Sequence, residues 1–456
     1  MEAVKLSLLA AAMGAEAAVE ADITHICTDT RKLTQGCLFV ALKGENFDGH
    51  RFVKAALEQG AVAAVVHQPV EDVDPDKLLE VMDTQDALLD MASIYRDRFP
   101  ELNLIAVTGS VGKTTTKDFI ACVVSAGFNT HKTEGNQNNE IGVPATVYGL
   151  TADHGAAVVE MGMQGLGEIL DLTLALHPTI GVITNIGVSH IERLGSRENI
   201  LQAKLELCEG LEDGAPLFLC GDNDLLATVQ QPRLDVIFYG VDNPACAIRG
   251  GEIKEEGDST SFVIMAEGQQ WSAVIPCVGR HNVLNALAAF GVGRKLGIPA
   301  ESCIRALQNY QPSGMRQHVV RCGGVTIVED CYNASPDSMQ AALNTLKTYP
   351  CSGRRIALLA DMLELGEIAE QSHLQVGRLA AESADVLYCY GQLGQMYAKG
   401  AKQNGSPEVY WFEDKADLAE TLCGSIKEGD VVWAKASRGM KLEEALQPLQ
   451  KKLESK

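Results

Sequence analysis

The fold of this chain is decided by the stretch Leu104-Ile-Ala-Val-Thr-Gly-Ser-Val-Gly-Lys-Thr-Thr115. Its apolar start predicts a buried strand, and a helix-length segment follows the two glycines. Glycines let the backbone curl so that its N–H groups face a phosphate, and the start of the next helix adds positive potential. Lys113 can then reach the terminal phosphates of a nucleotide, and the Thr114 hydroxyl can ligate magnesium. The stretch therefore predicts a phosphate-binding loop formed by Gly109, Ser110, Val111, Gly112, Lys113, Thr114 and Thr115.

This loop is a shortened variant of the usual nucleotide-binding pattern. That pattern has a glycine five positions before Gly112, where this chain has Val107. A short glycine turn can be merely structural, but Gly-Lys-Thr-Thr between a strand and a helix favours phosphate binding. A GTPase would need an Asn-Lys-x-Asp motif to read its base, and the sequence contains none. The sequence therefore disfavours a GTPase switch.

Apolar runs continue the strand–loop–helix pattern beyond the loop. Helix-length segments separate the runs at 156–159, 180–184, 216–219 and 236–239. Such alternation is typical of a mostly parallel sheet covered on both faces. Hairpin-like strands at 261–265 and 271–275 then precede a predicted helix at 281–296.

The length of the chain and two linker-like stretches indicate three domains. Its 456 residues exceed one compact core, because domains usually have about 100–200 residues. The acidic stretch 71–77 is interpreted as a linker, and 312–317, with proline and glycine, as a second boundary. Later apolar runs predict a third α/β unit, at 325–328, 356–359, 386–389 and 431–433. We predict an α/β protein with domains at 1–80, 81–312 and 313–456.

Composition excludes several classes of protein. A net charge of −22 disfavours nucleic-acid partners, since it repels phosphate backbones. The thirteen cysteines include no Cys-x-x-Cys pair, which suits small buried side chains in a reducing compartment. The apolar run at 6–13 is bracketed by Glu2 and Glu16, which favours an amphipathic helix over a signal peptide. No run reaches the roughly 18 apolar residues of a membrane span, so the chain is predicted to be soluble and cytoplasmic.

Three charged residues beyond the loop have both a functional and an ordinary interpretation. Glu160 ends a predicted parallel strand, where a carboxylate can hold magnesium, although such a residue is more often a solvated strand end. His190 follows the next strand, where a lone histidine is usually a hydrogen-bonded structural residue. Lys204, in the helical segment 197–210, is by default a solvent-facing lysine.

The loop at 109–115 resembles the ATP loop of Mur ligases and folylpolyglutamate synthases. Two further segments resemble Mur ligases, the polar loop at 135–144 with Asn138 and Asn139, and His281-Asn-Val-Leu-Asn285. The resemblance covers essentially the whole chain. It implies a small α/β domain that binds UDP, a central P-loop ATPase domain with a mostly parallel sheet, and a C-terminal Rossmann-like α/β domain.

The same resemblance implies roles for individual residues. It implies catalytic roles for Lys113, His190, Lys204 and Arg316, and nucleotide contacts for Asn282 beside the adenine, Arg316 at the phosphates and Asp330 on domain closure. Two Mg²⁺ ions are implied, with Thr114, Glu160, His190 and Lys204 as ligands. Lys204 is expected to be carbamylated, because that modification turns its cation into a carboxylate-like anion.

Segments at the two ends of the chain narrow the choice within the family. Thr28-Asp-Thr-Arg31 and Asp48-Gly-His50 resemble a UDP-binding first domain, although a capped turn is an alternative. The stretches 330–339, 361–366 and 435–440 resemble the member that adds D-alanyl-D-alanine, apart from Ala360 and Ala436 in place of glycine. The implied substrate-binding residues are Thr28, Asp29, Thr30, Arg31, Asp48, His50, Asn138, Asn139, Asn333, Ser338 and Arg438.

The resemblance implies an ATP-dependent ligase that acts on small molecules and works as a monomer. A UDP-linked muramoyl tripeptide would be activated as an acyl phosphate, with ADP released, and then attacked by the amine of D-alanyl-D-alanine. The third residue of the tripeptide is left open between diaminopimelate and lysine. Two alternatives are a folylpolyglutamate-type ligase, which lacks a UDP domain, and a nucleotide-binding scaffold, against which the intact site residues argue.

Overall fold

The computed structural model describes residues 1–44, 46–312, 314–405 and 408–455. The chain forms two compact units. The first comprises residues 1–108, 127–181 and 205–216, and the second comprises residues 109–126, 182–204 and 217–456. Ser313 and Lys456, the two ends of the third predicted domain, lie outside the described residues.

Short strands and long helices alternate along the chain. Up to residue 108 the strands are β1 (Val4–Lys5), β2 (Asp22–Ile23), β3 (Ile26–Cys27), β4 (Leu38–Val40), β5 (Lys43–Gly44), β6 (Phe47–Asp48), β7 (Ala63–Val66), β8 (Leu78–Glu80) and β9 (Asn103–Thr108). The helices there are α1 (Leu6–Ala12), α2 (Val53–Glu58) and α3 (Thr84–Arg96). The middle of the chain contains the strands β10 (Thr130–Lys132), β11 (Ala156–Glu160), β12 (Ile180–Ile183), β13 (Pro216–Cys220), β14 (Asp235–Gly240), β15 (Ile248–Glu256), β16 (Ser259–Ala266) and β17 (Gln269–Ile275).

The helices of this middle part are α4 (Lys113–Val124), α5 (Gly142–Tyr148), α6 (Glu168–Leu176), α7 (Ile191–Leu194), α8 (Arg197–Leu205), α9 (Arg280–Lys295) and α10 (Ala300–Gln308). The remaining strands are β18 (His318–Cys322), β19 (Val325–Asp330), β20 (Arg355–Ala360), β21 (Val386–Tyr390), β22 (Glu408–Phe412) and β23 (Val431–Lys435). The remaining helices are α11 (Pro336–Thr348), α12 (Ala369–Ser383), α13 (Gly394–Gln403), α14 (Lys415–Ser425) and α15 (Glu443–Glu454).

The first unit contains two groups of parallel strands. One sheet has the order β3-β4-β7-β8, and its core includes Phe39, Val53 and Val66. The stretch 71–77, predicted as a linker, instead connects β7 to β8 within this sheet, because a 3₁₀ turn at Pro75–Lys77 leads directly into β8. The other group runs β10-β11-β9, so the strand before the phosphate loop is parallel to its neighbour as predicted.

In the second unit, a run of strands has the order β12-β13-β14-β15-β16-β17. The pair β14–β15 is parallel, whereas β15–β16 and β16–β17 are antiparallel. The predicted change from parallel strands to hairpins is confirmed. Helix α9 is buried on all sides over most of its length, with Leu287 and Phe290 among its buried residues.

The C-terminal sheet has the order β18-β19-β23-β20-β21-β22, and only its edge strand β18 is antiparallel to its neighbour. Consecutive strand residues point to opposite faces. Leu359 and Trp433 therefore pack against α11–α13, while Leu358 and Val432 pack against α14 and α15. Both faces are covered, which is the predicted Rossmann-like arrangement.

Of the thirteen cysteines, nine are buried and four are half-buried. Burial raises the pKa of Cys220 to about 12 and those of Cys246 and Cys303 to about 11. These three thiols are therefore protonated at neutral pH. The nine buried cysteines pack as small hydrophobic side chains, as predicted.

The apolar N-terminal run forms the predicted helix, α1, which buries Leu6 and Leu9. Among the described residues, no helix combines the length and apolarity needed to cross a membrane.

Candidate active site

The predicted phosphate loop connects β9 to α4. Gly109 and Gly112 have φ angles of +145° and +82°, a region that residues with a Cβ avoid. A Cβ on Gly109 would also collide with the Thr184 side chain. Both glycines are therefore required by the shape of the loop.

Residues that follow β12 fasten this loop. The amides of Ser110 and Val111 donate to the carbonyl oxygen and to Oδ1 of Asn185, at 3.0 and 2.8 Å. Thr184 Oγ1 donates to the carbonyl oxygen of Val111 at 2.6 Å, and the Gly187 amide donates to Ser110 Oγ at 3.0 Å. These bonds fix the shape of the loop.

A substitution tests this shape. Gly109→Ala should lower ADP affinity at least about 10-fold, because left-handed strain and overpacking each cost about 1–3 kcal/mol. Gly297→Ala is the matched control, since Gly297 has a φ of +79° but a Cβ there would meet no described atom within 4 Å. Calorimetric titration with ADP measures both. Unchanged affinity in Gly109→Ala would show that the loop tolerates a Cβ.

The ammonium group of Lys113 curls back over the loop. Its Nζ donates to the carbonyl oxygens of Gly109 at 2.9 Å and Ser110 at 3.4 Å. Lys113 is also the first residue of the twelve-residue helix α4. An anion placed here would meet both the ammonium and the positive end of the helix dipole.

Side-chain hydrogen bonds connect α4 to α9. Thr116 Oγ1 donates to Asn285 Oδ1 at 2.9 Å, and Asn285 Nδ2 donates to Asn282 Oδ1 at 3.3 Å. Asn282 Nδ2 donates to the Val278 carbonyl oxygen at 2.7 Å and to Gln317 Oε1 at 3.0 Å. Asn282 is buried in the first turn of α9, so it is more than an exposed helix-start residue.

His281, next to Asn282, is a neutral imidazole. Burial lowers its pKa to about 4, with Lys435 acting in the same direction and Asp330 opposing. Its Nε2 lies 3.1 Å from Gln317 Nε2. Since the amide nitrogen can only donate, the imidazole accepts through Nε2.

The predicted nucleotide residues beyond residue 312 are held by neighbours. The guanidinium of Arg316 stacks on the ring of Tyr332, 3.8 Å from its centroid. Asp330 Oδ2 accepts a hydrogen bond from the buried Lys435 Nζ at 2.7 Å, and Lys435 also donates to the Asn333 carbonyl oxygen at 3.0 Å. Asp330 is therefore one half of an ion pair rather than an isolated surface charge.

His190 lies at the start of α7 with a φ of +64°. Its Nδ1 is 3.0 Å from Glu364 Oε2, and this hydrogen bond lowers the pKa of Glu364, with burial opposing. The sequence analysis did not predict that Glu364, in the stretch 361–366, pairs with His190. The other ring nitrogen, Nε2, is not used in this contact.

Glu160, in the first unit, is fully buried at the end of β11, which removes the alternative of a solvated strand end. Its Oε1 accepts from Asn138 Nδ2 at 2.8 Å, and its amide donates to Thr133 Oγ1 at 3.0 Å. Its Oε2 is buried and accepts no hydrogen bond from the residues that the structure describes. Such an oxygen is costly unless a cation or water satisfies it.

Lys204 is fully buried on α8, so the default of a solvent-facing lysine is wrong. The predicted helix at 197–210 is α-helical only to residue 205 and continues as a 3₁₀ turn. Within the described ranges, no group of three or more His, Cys, Asp or Glu side chains converges as a metal site. The predicted ligand set includes only two residues of those types, Glu160 and His190.

The predicted UDP residues form two capped turns. Asp29 accepts from the Arg31 amide and guanidinium, and these bonds lower its pKa to about 2. Asp48 accepts from the His50 amide and from His50 Nδ1 at 2.8 Å, which likewise lowers its pKa to about 2. His50 Nε2 accepts from the His67 amide at 3.2 Å, so both of its ring nitrogens position the turn.

Other predicted substrate residues have local partners. Asn139 Oδ1 accepts from the Gly142 amide at 3.0 Å, and Asn333 Oδ1 accepts from the Ala334 amide at 2.8 Å. Ser338 belongs to a capping box at the start of α11. Arg438 pairs with Glu443 at 2.5 Å and is half exposed.

Ala360 and Ala436, which replace the glycines of the family pattern, are buried. Neither has a positive φ. A methyl group at these two positions therefore does not strain the backbone.

Three models of protein families match the chain. They are the Mur ligase family catalytic domain over residues 22–96, the Mur ligase middle domain over 107–293, and the glutamate ligase domain of Mur ligases over 315–438. Proteins named UDP-N-acetylmuramoyl-tripeptide--D-alanyl-D-alanine ligase are similar along their whole length. The protein from Bacillus subtilis is 39% identical and that from Escherichia coli 34% identical, over 94% of this chain and 94% and 95% of theirs.

Solved structures give the same result. MurF from Acinetobacter baumannii superposes with a TM-score of 0.91 at 28% identity, covering 99% of each chain. MurF ligase from Thermotoga maritima in complex with ADP superposes with a TM-score of 0.85 at 28% identity, covering 94% of this chain and 98% of that one. A folylpolyglutamate synthase from Mycobacterium tuberculosis shares the fold alone, at 14% identity and a TM-score of 0.60.

Proposed function

The chain belongs to the Mur ligase family, and from this membership we infer that it is the ligase that adds D-alanyl-D-alanine to UDP-N-acetylmuramoyl-tripeptide. It has the three-domain α/β fold of these enzymes, depends on ATP and forms ADP. The observation that carries most weight is the fastened phosphate loop with the Lys113 ammonium folded over it. We place the domains at 1–80, 81–312 and 313–456, in a cytoplasmic monomer.

The reaction must join a carboxylate to an amine. This condensation is unfavourable in water unless the carboxylate is first activated. In our proposal the terminal carboxylate of the tripeptide attacks the γ-phosphorus of ATP, the bond to ADP breaks, and an acyl phosphate forms. The amine of D-alanyl-D-alanine then attacks the acyl carbon, and phosphate leaves. Lys113 and Arg316 neutralise the negative charge that develops between carboxylate and phosphate.

Two Mg²⁺ ions are part of the proposal, with Thr114, Glu160, His190 and Lys204 as ligands. The buried Oε2 of Glu160 supports a cation, because no described residue donates to it. Magnesium supplies Lewis-acid charge neutralisation on phosphate oxygens when bound. Carbamylation of the buried Lys204 converts a cation that would repel the metal into an anionic oxygen ligand.

The remaining residues are proposed to bind the organic substrates. Asn282 borders the adenine, and Asp330 reaches the nucleotide. The UDP end is assigned to Thr28, Asp29, Thr30, Arg31, Asp48 and His50, and the peptide and acceptor to Asn138, Asn139, Asn333, Ser338 and Arg438. His50 acts by positioning Asp48, because both its ring nitrogens are already bonded.

Phosphate release tests the assignment of substrates. We expect release only when ATP, magnesium, UDP-tripeptide and D-alanyl-D-alanine are all present, with ADP as the other product. D-Glutamate is the control acceptor. Comparable release with D-glutamate would show that the chain is a different member of the family. Assaying tripeptides that end in diaminopimelate and in lysine identifies the third residue.

A further inference from the structure

One side chain, that of Gln317, connects the last residue of the predicted boundary segment 312–317 to the start of α9. Its Oε1 accepts from Asn282 Nδ2 at 3.0 Å, and its Nε2 lies 3.1 Å from His281 Nε2. These partners are consecutive residues of one helical turn. Both ends of the Gln317 amide are therefore engaged with the same short segment.

The backbone of Gln317 is held in an unusual conformation. Its φ is +50°, in the left-handed region that residues other than glycine seldom adopt. Such a conformation persists only where the surroundings impose it. The stacking of Arg316 on Tyr332 precedes it, and β18 begins directly after it at His318. Its placement against α9 is thus imposed by the surrounding structure.

Within the described part of the chain, the hydrogen bonds of the Asn282 side chain leave one polar position unused. A carboxamide has two N–H donors and one oxygen with two lone pairs. The donors of Asn282 bond to the Val278 carbonyl oxygen at 2.7 Å and to Gln317 Oε1 at 3.0 Å. Its Oδ1 accepts from Asn285 Nδ2 at 3.3 Å. What remains for a ligand is the second lone pair of Oδ1, which can only accept.

The orientation of this carboxamide is fixed from several sides. The Asn285 carboxamide that donates to Asn282 itself accepts from Thr116 Oγ1 at 2.9 Å, in the helix that follows the phosphate loop. On the other side, the neutral His281 ring accepts from Gln317 Nε2, which turns Gln317 Oε1 towards Asn282. If the Asn282 amide rotated by half a turn, its oxygen would face the oxygen of Gln317.

The free lone pair of Asn282 Oδ1 can distinguish adenine from guanine. Adenine presents an exocyclic amine, which donates, at the position where guanine presents O6, which accepts. An acceptor held in a fixed orientation bonds to the first and repels the second. If the buried Asn282 oxygen faced O6, it would also have given up its hydrogen bonds to water without gaining another.

We propose that Gln317 is a specificity-determining residue, which by occupying the second N–H of Asn282 leaves only an acceptor for the base and so selects adenine over guanine. The inference rests on the proposed function in one respect, the assignment of Asn282 to the base. Gln317 itself is a positioning residue, because it acts through Asn282.

Calorimetric titration with ADP and GDP tests the proposal without any peptide substrate. We expect the unmodified enzyme to prefer ADP, and Gln317→Met to lower the ratio of ADP to GDP affinity about 10-fold, since one hydrogen bond that fixes the Asn282 amide is lost. Gln317→Asn, too short to reach Asn282, should behave in the same way. Gln317→Glu keeps an acceptor for Asn282 and should retain most of the preference.

Gln311→Met is the matched control, because Gln311 is exposed in the same connecting segment. An unchanged ADP-to-GDP ratio in Gln317→Met and Gln317→Asn would overturn the proposal. An equal loss of ADP preference in Gln317→Met and Gln317→Glu would also overturn it, because that result indicates a merely structural role for Gln317. Equal affinity of the unmodified enzyme for ADP and GDP overturns it regardless of activity. An enzyme that prefers ADP but ignores D-alanyl-D-alanine would contradict only the proposed acceptor.

Discussion

Lys113→Met is expected to lower kcat by about 100- to 1,000-fold, the usual effect of removing one group that stabilises transition-state charge. The ammonium donates to the loop carbonyl oxygens of Gly109 and Ser110, at the start of α4, where a bound phosphate would lie. Methionine keeps the length of the side chain and its helix propensity. The loss should therefore appear in turnover and leave thermal stability unchanged.

The measurement is single-turnover phosphate transfer, followed by rapid quench, with ADP affinity determined in parallel. Lys295→Met is the matched control, because Lys295 is exposed near the end of α9 and pairs with Asp235 at 2.6 Å. That variant should retain full turnover. A Lys113→Met enzyme with normal single-turnover rates would contradict the role assigned to the ammonium.

Lys204→Ala is expected to reduce turnover at least about 100-fold, because it removes a proposed metal ligand. The side chain is fully buried on α8. Alanine leaves a cavity in which acetate or formate can take the place of the carbamate. Small carboxylates should therefore restore part of the activity of Lys204→Ala.

A second substitution at the same position separates the chemical role of Lys204 from packing. Lys204→Met fills the buried volume with an apolar chain, so small carboxylates should fail to rescue it. Carbamylation itself is observed by ¹³C NMR after equilibration with labelled bicarbonate, with a signal in the unmodified protein that both variants lack. A fully active Lys204→Ala enzyme would show that the lysine only packs.

The sequence predicts best the elements whose signal is local. The strand at 156–159 and the helix at 281–296 are recovered as β11 and α9 within one residue, because burial on both faces gives continuous apolar runs. Strands β10 and β18 escaped prediction. Their sequences, Thr-His-Lys and His-Val-Val-Arg-Cys, are too polar at a sheet edge to produce such a run.

The contacts that complete the candidate site join residues far apart in the sequence, so local sequence patterns do not predict them. Lys435 pairs with Asp330 across 105 positions, and Glu364 pairs with His190 from a separate motif. A solvent-facing side chain is the default interpretation of a helical lysine, and it is wrong for Lys204, which is fully buried. Its burial depends on the residues that surround α8. No short stretch of the sequence identifies those residues. Gln317 carried no motif signal at all.

The buried thiols described above have a consequence for following how the molecule opens. A protonated, enclosed thiol reacts with an alkylating reagent only while its surroundings are transiently open. Nine buried thiols are distributed along the chain, from Cys27 and Cys37 in the core of the first sheet to Cys331 and Cys389 in the cores of the C-terminal sheet. Peptide mass spectrometry after pulsed alkylation therefore reads a separate opening rate for each region, with no probe introduced. Ligands that tighten one region will slow alkylation of its own cysteines and leave the others unchanged.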